Sequence, residues 1–161
     1  MTLTPIKLTK QEQLGLAIAI AVDAHDGQYD KGGFPYILHP LHLMHKVMYD
    51  LQLATIAVLH DVIEDSNGRF TIEKLRDLGF SERVLTALDL LTHKKGVPYE
   101  DYIEGIASNF DAMRVKRKDL EHNSDITRLK GITNKDHQRV QKYHKAFMRL
   151  SVAKLDFMER K

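Results

Sequence analysis

Residues 51–65 read Leu51-Gln-Leu-Ala-Thr-Ile-Ala-Val-Leu59-His60-Asp61-Val62-Ile63-Glu64-Asp65, an uncharged run that turns abruptly into metal-liganding and proton-handling side chains. A segment apolar on every side reads as a helix buried in a core. Charged groups enter such surroundings only when paired or bound to a metal. On one helix over about 52–65, His60 and Asp61 lie one turn below Glu64 and Asp65. Two adjacent ligands with two more carboxylates above them suit one divalent cation and its water. The stretch predicts an all-α protein whose chemistry starts at the end of its central helix.

Working outward, helical periods dominate. Thr9 and Glu12 form a capping-box pattern ahead of Leu14, Ala17, Ile18, Ala21 and His25, a helix expected to end near Gly27. Residues 28–38 hold Gly32, Gly33 and Pro35 and read as a loop. Pro40 suits the first turn of a helix running to about Asp50. Thr71 and Ser81 are candidate N-caps for short helices over about 72–78 and 82–92. Two more are expected over Tyr99–Ser108 and Asp111–Asn123. A long last one, Asn134 to Glu159, carries Val140, Tyr143, Phe147, Leu150 and Leu155 at helical intervals. The expectation is seven or eight helices, no strand and no internal repeat, with residues 1–161 as one domain.

At 161 residues the chain is long enough to bury its own core without a disulfide. The absence of cysteine fits a reducing compartment and excludes thiolate zinc sites, iron–sulfur clusters and cysteine nucleophiles. A formal charge of +2 is too weak to announce a nucleic-acid protein. The N-terminus lacks the apolar stretch of a signal peptide, and no apolar run approaches the ~20 residues of a membrane helix. A cytoplasmic protein without a membrane or nucleic-acid partner is expected; the sequence leaves its oligomeric state open.

Two other segments look like partners of His60-Asp61. His39 closes the Gly-rich loop just before a helix, and Asp119-Leu-Glu-His122-Asn123 sets polar groups at helical spacing. His39, His60, Asp61 and Asp119 would make a site of two imidazoles and two carboxylates. Mixed nitrogen and oxygen donors without sulfur suit Mn2+, Fe2+ or Mg2+, with Zn2+ possible.

In order and spacing these residues resemble HD-domain metal-dependent phosphohydrolases, and more closely the hydrolase domain of RelA/SpoT-type enzymes and the stand-alone small alarmone hydrolases. The matching stretches are Ala24-His25-Asp26-Gly27-Gln28, Lys31-Gly32-Gly33, Pro35-Tyr36-Ile37-Leu38-His39-Pro40, Leu59 to Asp65, Val115-Lys116 and Asp119 to Asn123. They cover about residues 10 to 150. The resemblance implies a helical HD bundle with metal ligands His39, His60, Asp61 and Asp119, and an acidic pair, Glu64 and Asp65, that handles the attacking water. It implies that Lys31 lines the nucleotide base and that Asn123 and Tyr143 contact sugar and phosphates. The implied reaction converts guanosine 3′,5′-bis(diphosphate) to a guanine nucleotide and pyrophosphate, with Mn2+ as the expected metal. Three positions depart from the family's pattern. Asp30 stands where an arginine often precedes the loop lysine, Ser66 replaces a common threonine, and Arg117-Lys118 replace small or apolar residues. An acid at 30 would repel phosphates, which keeps open another phosphorylated nucleotide, such as a nicotinamide dinucleotide phosphate. A nucleotide-sensing module without turnover is the reading from a different class. The chain ends at Lys161, and no synthetase domain is expected after it.

A divalent ion acidifies bound water and neutralises developing phosphoryl charge. Glu64 or Asp65 then orients or deprotonates that water, and residue type does not divide the roles. Among the other histidines, His42, His45, His93, His137 and His144 are expected at the surface, and His25 beside the site rather than in it. Arg114-Val-Lys-Arg-Lys118 reads as a solvated helix face, with Lys116 the exception because it precedes Asp119 by three positions. Met44, Met48, Met113 and Met148 read as core fillers.

Overall fold

The computed structural model describes residues 7–160; the first six positions of the N-terminal stretch lie outside the described residues. Helix α1 (Lys10–Ala24) starts at the Thr9–Glu12 capping box and ends before Gly27, whose φ of 73° turns the chain. Helix α2 (Leu38–Lys46) begins two residues ahead of Pro40, and Asp50 caps α3 (Leu51–Leu59) through the amides of Gln52 and Leu53. Helices α4 (Val62–Asp65), α5 (Ile72–Asp77), α6 (Glu82–Leu91), α7 (Tyr99–Ala107) and α8 (Phe110–Asn123) follow. A 3-10 turn (Ile126–Arg128), absent from the sequence expectation, leads to α9 (Asn134–Glu159), whose bounds match that expectation. Among the described residues there is no strand, only an isolated bridge between Tyr29 and Pro35 that pinches the Gly-rich loop.

The helix expected over 52–65 is interrupted. It stops at Leu59, turns through His60 and Asp61, and restarts at Val62. At the break the His60 ring engages the Ala57 carbonyl through Nδ1 at 2.8 Å, the acceptor a continuing ladder would offer to residue 61. Counting α3 and α4 as one broken helix gives eight α-helices among the described residues, within the expected number.

Every residue from Leu53 to Leu59 is buried, so α3 is the axis of the molecule. Helices α1, α2, α6 and α8 surround it, and α9 lies across α7 and α8. An uncharged helix is stable only where neighbours cover all its faces. Two further details differ from expectation. Ser81 sits at the N-cap of α6 without capping it; its hydroxyl accepts from the Gln52 amide at 2.7 Å. Met44 and Met113 fill the core, whereas Met48, just past the end of α2, is exposed, as are Met148 and Leu155 on the outer face that α9 leaves uncovered.

Candidate functional site

The break in the central helix aims His60 and Asp61 at a point that α2 and α8 also reach. Ligand atoms of His39, His60 and Asp61 lie within 4.8 Å of one another. Asp119 joins them, its Oδ1 3.1 Å from His39 Nε2 and 3.7 Å from His60 Nε2. His60 Nε2 stands 2.8 Å from Asp61 Oδ2. Residues separated by up to 80 positions in the chain therefore meet in one cluster, with His39, His60 and Asp119 all buried.

Each imidazole has its orientation set from behind. His60 Nδ1 points at the Ala57 carbonyl, which makes it the donor and turns Nε2 to the cluster. His39 Nδ1 lies 2.7 Å from His122 Nδ1. Burial, with the Arg128 cation and His39 nearby, pushes His122 down to about 4, so it stays neutral and accepts. That leaves His39 Nε2 free to face Asp119. Tyr36, from the loop motif, donates its hydroxyl to Asp61 Oδ2. Burial and the Asp61 carboxylate push the Tyr36 hydroxyl far above its ordinary pKa and keep it a donor.

Charge balance in the cluster asks for a cation. Burial alone would lower His60, but the Asp61 and Asp119 carboxylates reverse this and raise it to about 10. Burial would raise Asp61, yet His60 holds it at about 2. Asp119 is likewise held well below the carboxylate range, against burial, by Lys116 and the two imidazoles. A buried proton on His60 thus does the work a metal ion would do. His60 Nε2 nonetheless makes no well-directed hydrogen bond, an orphan atom of the kind a metal satisfies. Two imidazole nitrogens, two carboxylates and no sulfur fit a divalent cation.

Glu64 and Asp65 project from the single turn of α4. Glu64 Oε1 accepts the His93 backbone N–H at 2.5 Å, and burial raises its pKa. Asp65 is raised by burial and by the Asp61 charge, and its Oδ2 lies 3.9 Å from His25 Nδ1. His25 is buried beside the site, tied to Gln28 at 2.9 Å. His93, expected at the surface, is half-buried instead: its ring stacks on Tyr102 at 4.4 Å while its backbone steers Glu64. No sequence spacing connects residue 93 to residue 64; the loop after α6 brings them together.

A cavity of about 340 Å³ opens beside His39 and is lined by Lys31, Asn123 and Tyr143, the three candidate substrate contacts. Asn123 Nδ2 also donates to Asp119 Oδ1 at 2.5 Å, linking the cavity wall to the cluster. Arg128 and Arg139 line it too, and sequence reasoning missed both. Arg139 was findable, one helical turn before Tyr143 on α9; Arg128 was not, because its position follows from the 3-10 turn. The basic side chains of the run 114–118 are half-buried and find partners outside the run. Arg114 binds Asp111 at 2.5 Å, Arg117 lies over the Phe147 ring, and Lys118 binds Glu121 at 2.8 Å. Lys116 points inward, its Nζ 2.7 Å from Asp119 Oδ2.

No protein-family model matches the chain. It is 35% identical over 105 residues to a guanosine-3′,5′-bis(diphosphate) 3′-pyrophosphohydrolase of Vibrio cholerae, across 63% of this chain and 14% of that protein. It is 31% identical over 105 residues to the bifunctional (p)ppGpp synthase/hydrolase SpoT of Escherichia coli, with the same coverage of both. The chain thus spans about 14% of the length of these curated relatives. A solved structure described as a metazoan ortholog of SpoT that hydrolyses ppGpp superposes with a TM-score of 0.69 at 19% identity, covering 92% of this chain and 94% of that one. The resemblance to RelA/SpoT-type hydrolases is thus found in sequence, and the all-helical HD-type fold in structure. Among the described residues, no helix is long and apolar enough to cross a membrane.

Proposed function

We propose that this chain is a metal-dependent pyrophosphohydrolase that removes the 3′-diphosphate of guanosine 3′,5′-bis(diphosphate), acting as one cytoplasmic domain with Mn2+ as its metal. The observation that carries the reading is the buried cluster of His39, His60, Asp61 and Asp119 opening onto the cavity that Lys31, Asn123 and Tyr143 line. The similarity to pyrophosphohydrolases supports the substrate.

His39, His60, Asp61 and Asp119 hold the ion. When bound, a divalent cation supplies charge neutralisation at the phosphoryl oxygens and acidifies water. Glu64, with one oxygen occupied by the His93 amide, keeps the other to orient the attacking water, and Asp65 beside it takes part in moving the proton. Raised carboxylates are stronger bases, which suits both to that task. The water oxygen bonds to the proximal phosphorus of the 3′-diphosphate. The bond from that phosphorus to the 3′-oxygen breaks, the nucleoside oxygen takes a proton, and pyrophosphate leaves. Lys31 and Tyr143 orient the nucleotide from the cavity walls, and Asn123 couples the wall to Asp119. A cavity of about 340 Å³ is of small-molecule size.

The test is a nucleotide panel incubated with purified protein and Mn2+, with pyrophosphate and orthophosphate assayed separately. Pyrophosphate from the guanosine compound, abolished by a chelator, is the expected result. Orthophosphate from a nicotinamide dinucleotide phosphate, or binding without either product, would replace the reading.

A further inference from the structure

Asp30 looks misplaced in a wall that receives an anionic nucleotide, and the structure shows what it does there. Its Oδ1 accepts the backbone N–H groups of Gly32 and Phe34, each at 2.9 Å, which shapes the loop. Its Oδ2 accepts from Arg128 Nη2 at 3.0 Å, across 98 residues of chain. Arg128 is held a second time, its Nη1 donating to the His122 carbonyl at 3.0 Å. The backbones also close on each other: a Cβ on Gly32 would stand 2.6 Å from the Arg128 carbonyl oxygen. The guanidinium is thereby fixed in the wall of the cavity beside Tyr29 and Leu129.

We infer that Arg128, clasped by Asp30, is the residue that selects the nucleobase, and that it selects guanine over adenine. This rests on the nucleotide-hydrolase reading of the same cavity.

The charge arithmetic indicates which part of the ligand meets this wall. Asp30 and Arg128 neutralise each other, so the pair adds no net attraction for a diphosphate and suits the uncharged heterocycle. The phosphates belong at the other end, beside His39 and its cluster. Of the five N–H donors of the guanidinium, the two bonds above use two and leave three. Tyr29, whose ring is largely exposed, and Leu129 supply flat and apolar surface for a purine. Guanine carries two adjacent acceptors, O6 and N7, that match a fixed guanidinium fork, whereas adenine places a donor at the same edge. Asp30 contributes by preventing rotation of that fork.

The experiment compares GDP and ADP binding by calorimetry, with Mn2+ present, for the wild type, Arg128→Met and Arg128→Lys. Lysine retains the ion pair with Asp30 but loses the planar fork, so a merely structural clasp survives in it. The expected result is a wild-type preference for GDP of roughly 10- to 100-fold that both variants reduce to near unity, mainly by weakening GDP. Arg128→Lys should melt close to the wild type. The KM for guanosine 3′,5′-bis(diphosphate) should rise by a similar factor, with kcat affected far less. An unaltered GDP-to-ADP ratio in Arg128→Lys, equal weakening of both nucleotides, or a wild type without preference would each overturn the inference. Failure of the parent reading looks different: an Arg128-dependent GDP preference in a protein that releases no pyrophosphate would discard the hydrolase and keep the base contact.

Discussion

Lys116 offers the sharpest perturbation of the cluster. Its ammonium is almost wholly enclosed, 2.7 Å from Asp119 Oδ2, and lies 5.4 Å from the centre of the Tyr102 ring. Lys116→Met keeps the stem and removes the charge. Breaking a buried ion pair by deleting one partner costs about 3–5 kcal/mol, because the other charge is left uncompensated. His39 and His60 still face the Asp119 carboxylate, at 3.1 and 3.7 Å, which places the cost at the lower end. At roughly 2–4 °C per kcal/mol for a domain of this size, the metal-free variant should melt about 6–12 °C below the wild type. Mn2+ should then recover much of the loss. An ion at 100 times its Kd adds about 2.7 kcal/mol, and the variant, with one cation fewer around Asp119, has more to gain from it. The assay is thermal unfolding by circular dichroism, with and without Mn2+, on both proteins. A metal-free variant that melts with the wild type, or a Mn2+ shift larger in the wild type than in the variant, would refute the reasoning.

Glu64→Gln should slow turnover by about 10²–10⁴-fold while bound Mn2+, counted by elemental analysis, stays at the wild-type level. His60→Ala should lose metal and activity together, and near-normal turnover in a confirmed metal-free His60→Ala protein would defeat the site assignment. Mn2+ affinity should rise with pH. Without metal, His60 holds its proton up to about pH 10, and coordination requires the neutral ring, so below that point each unit of acidification should weaken binding about tenfold. A titration followed by the paramagnetic resonance of free Mn2+ over about pH 6–9 checks the slope, and a flat profile contradicts it. Gly32→Ala should destabilise by about 1–3 kcal/mol in denaturant unfolding, since its Cβ would meet backbone at 2.6 Å rather than a movable side chain.

Much of the fold was legible because helix signals are local. The Thr9 capping box, the Thr71 cap and the apolar spacing along α9 all act within four residues of themselves. The unbroken hydrophobicity of 51–59 was enough to place α3 at the centre, since no other environment stabilises such a helix. The interruption at His60 was not legible. It goes with a ring that meets a carbonyl rather than solvent, a contact set by burial among the surrounding helices.

The candidate site divides along the same line. Residue types, order and family resemblance nominated His39, His60, Asp61, Asp119, Glu64 and Asp65, because the chemistry of a cation and its water restricts which side chains can serve. The surroundings were hidden. His93 steering Glu64, His122 fixing His39 and Arg128 silencing Asp30 are contacts between segments with no shared spacing. Asp30 shows the difference best. As a residue type it is an acid set against phosphate, and as a placed side chain it is one half of a neutral pair. The sequence by itself determined most of the helix ends and which groups bear chemistry, for those are short-range properties of the chain. Only the tertiary structure decided the charge, orientation and partners of those groups, because electrostatic energy depends on distance in space and on exclusion of water.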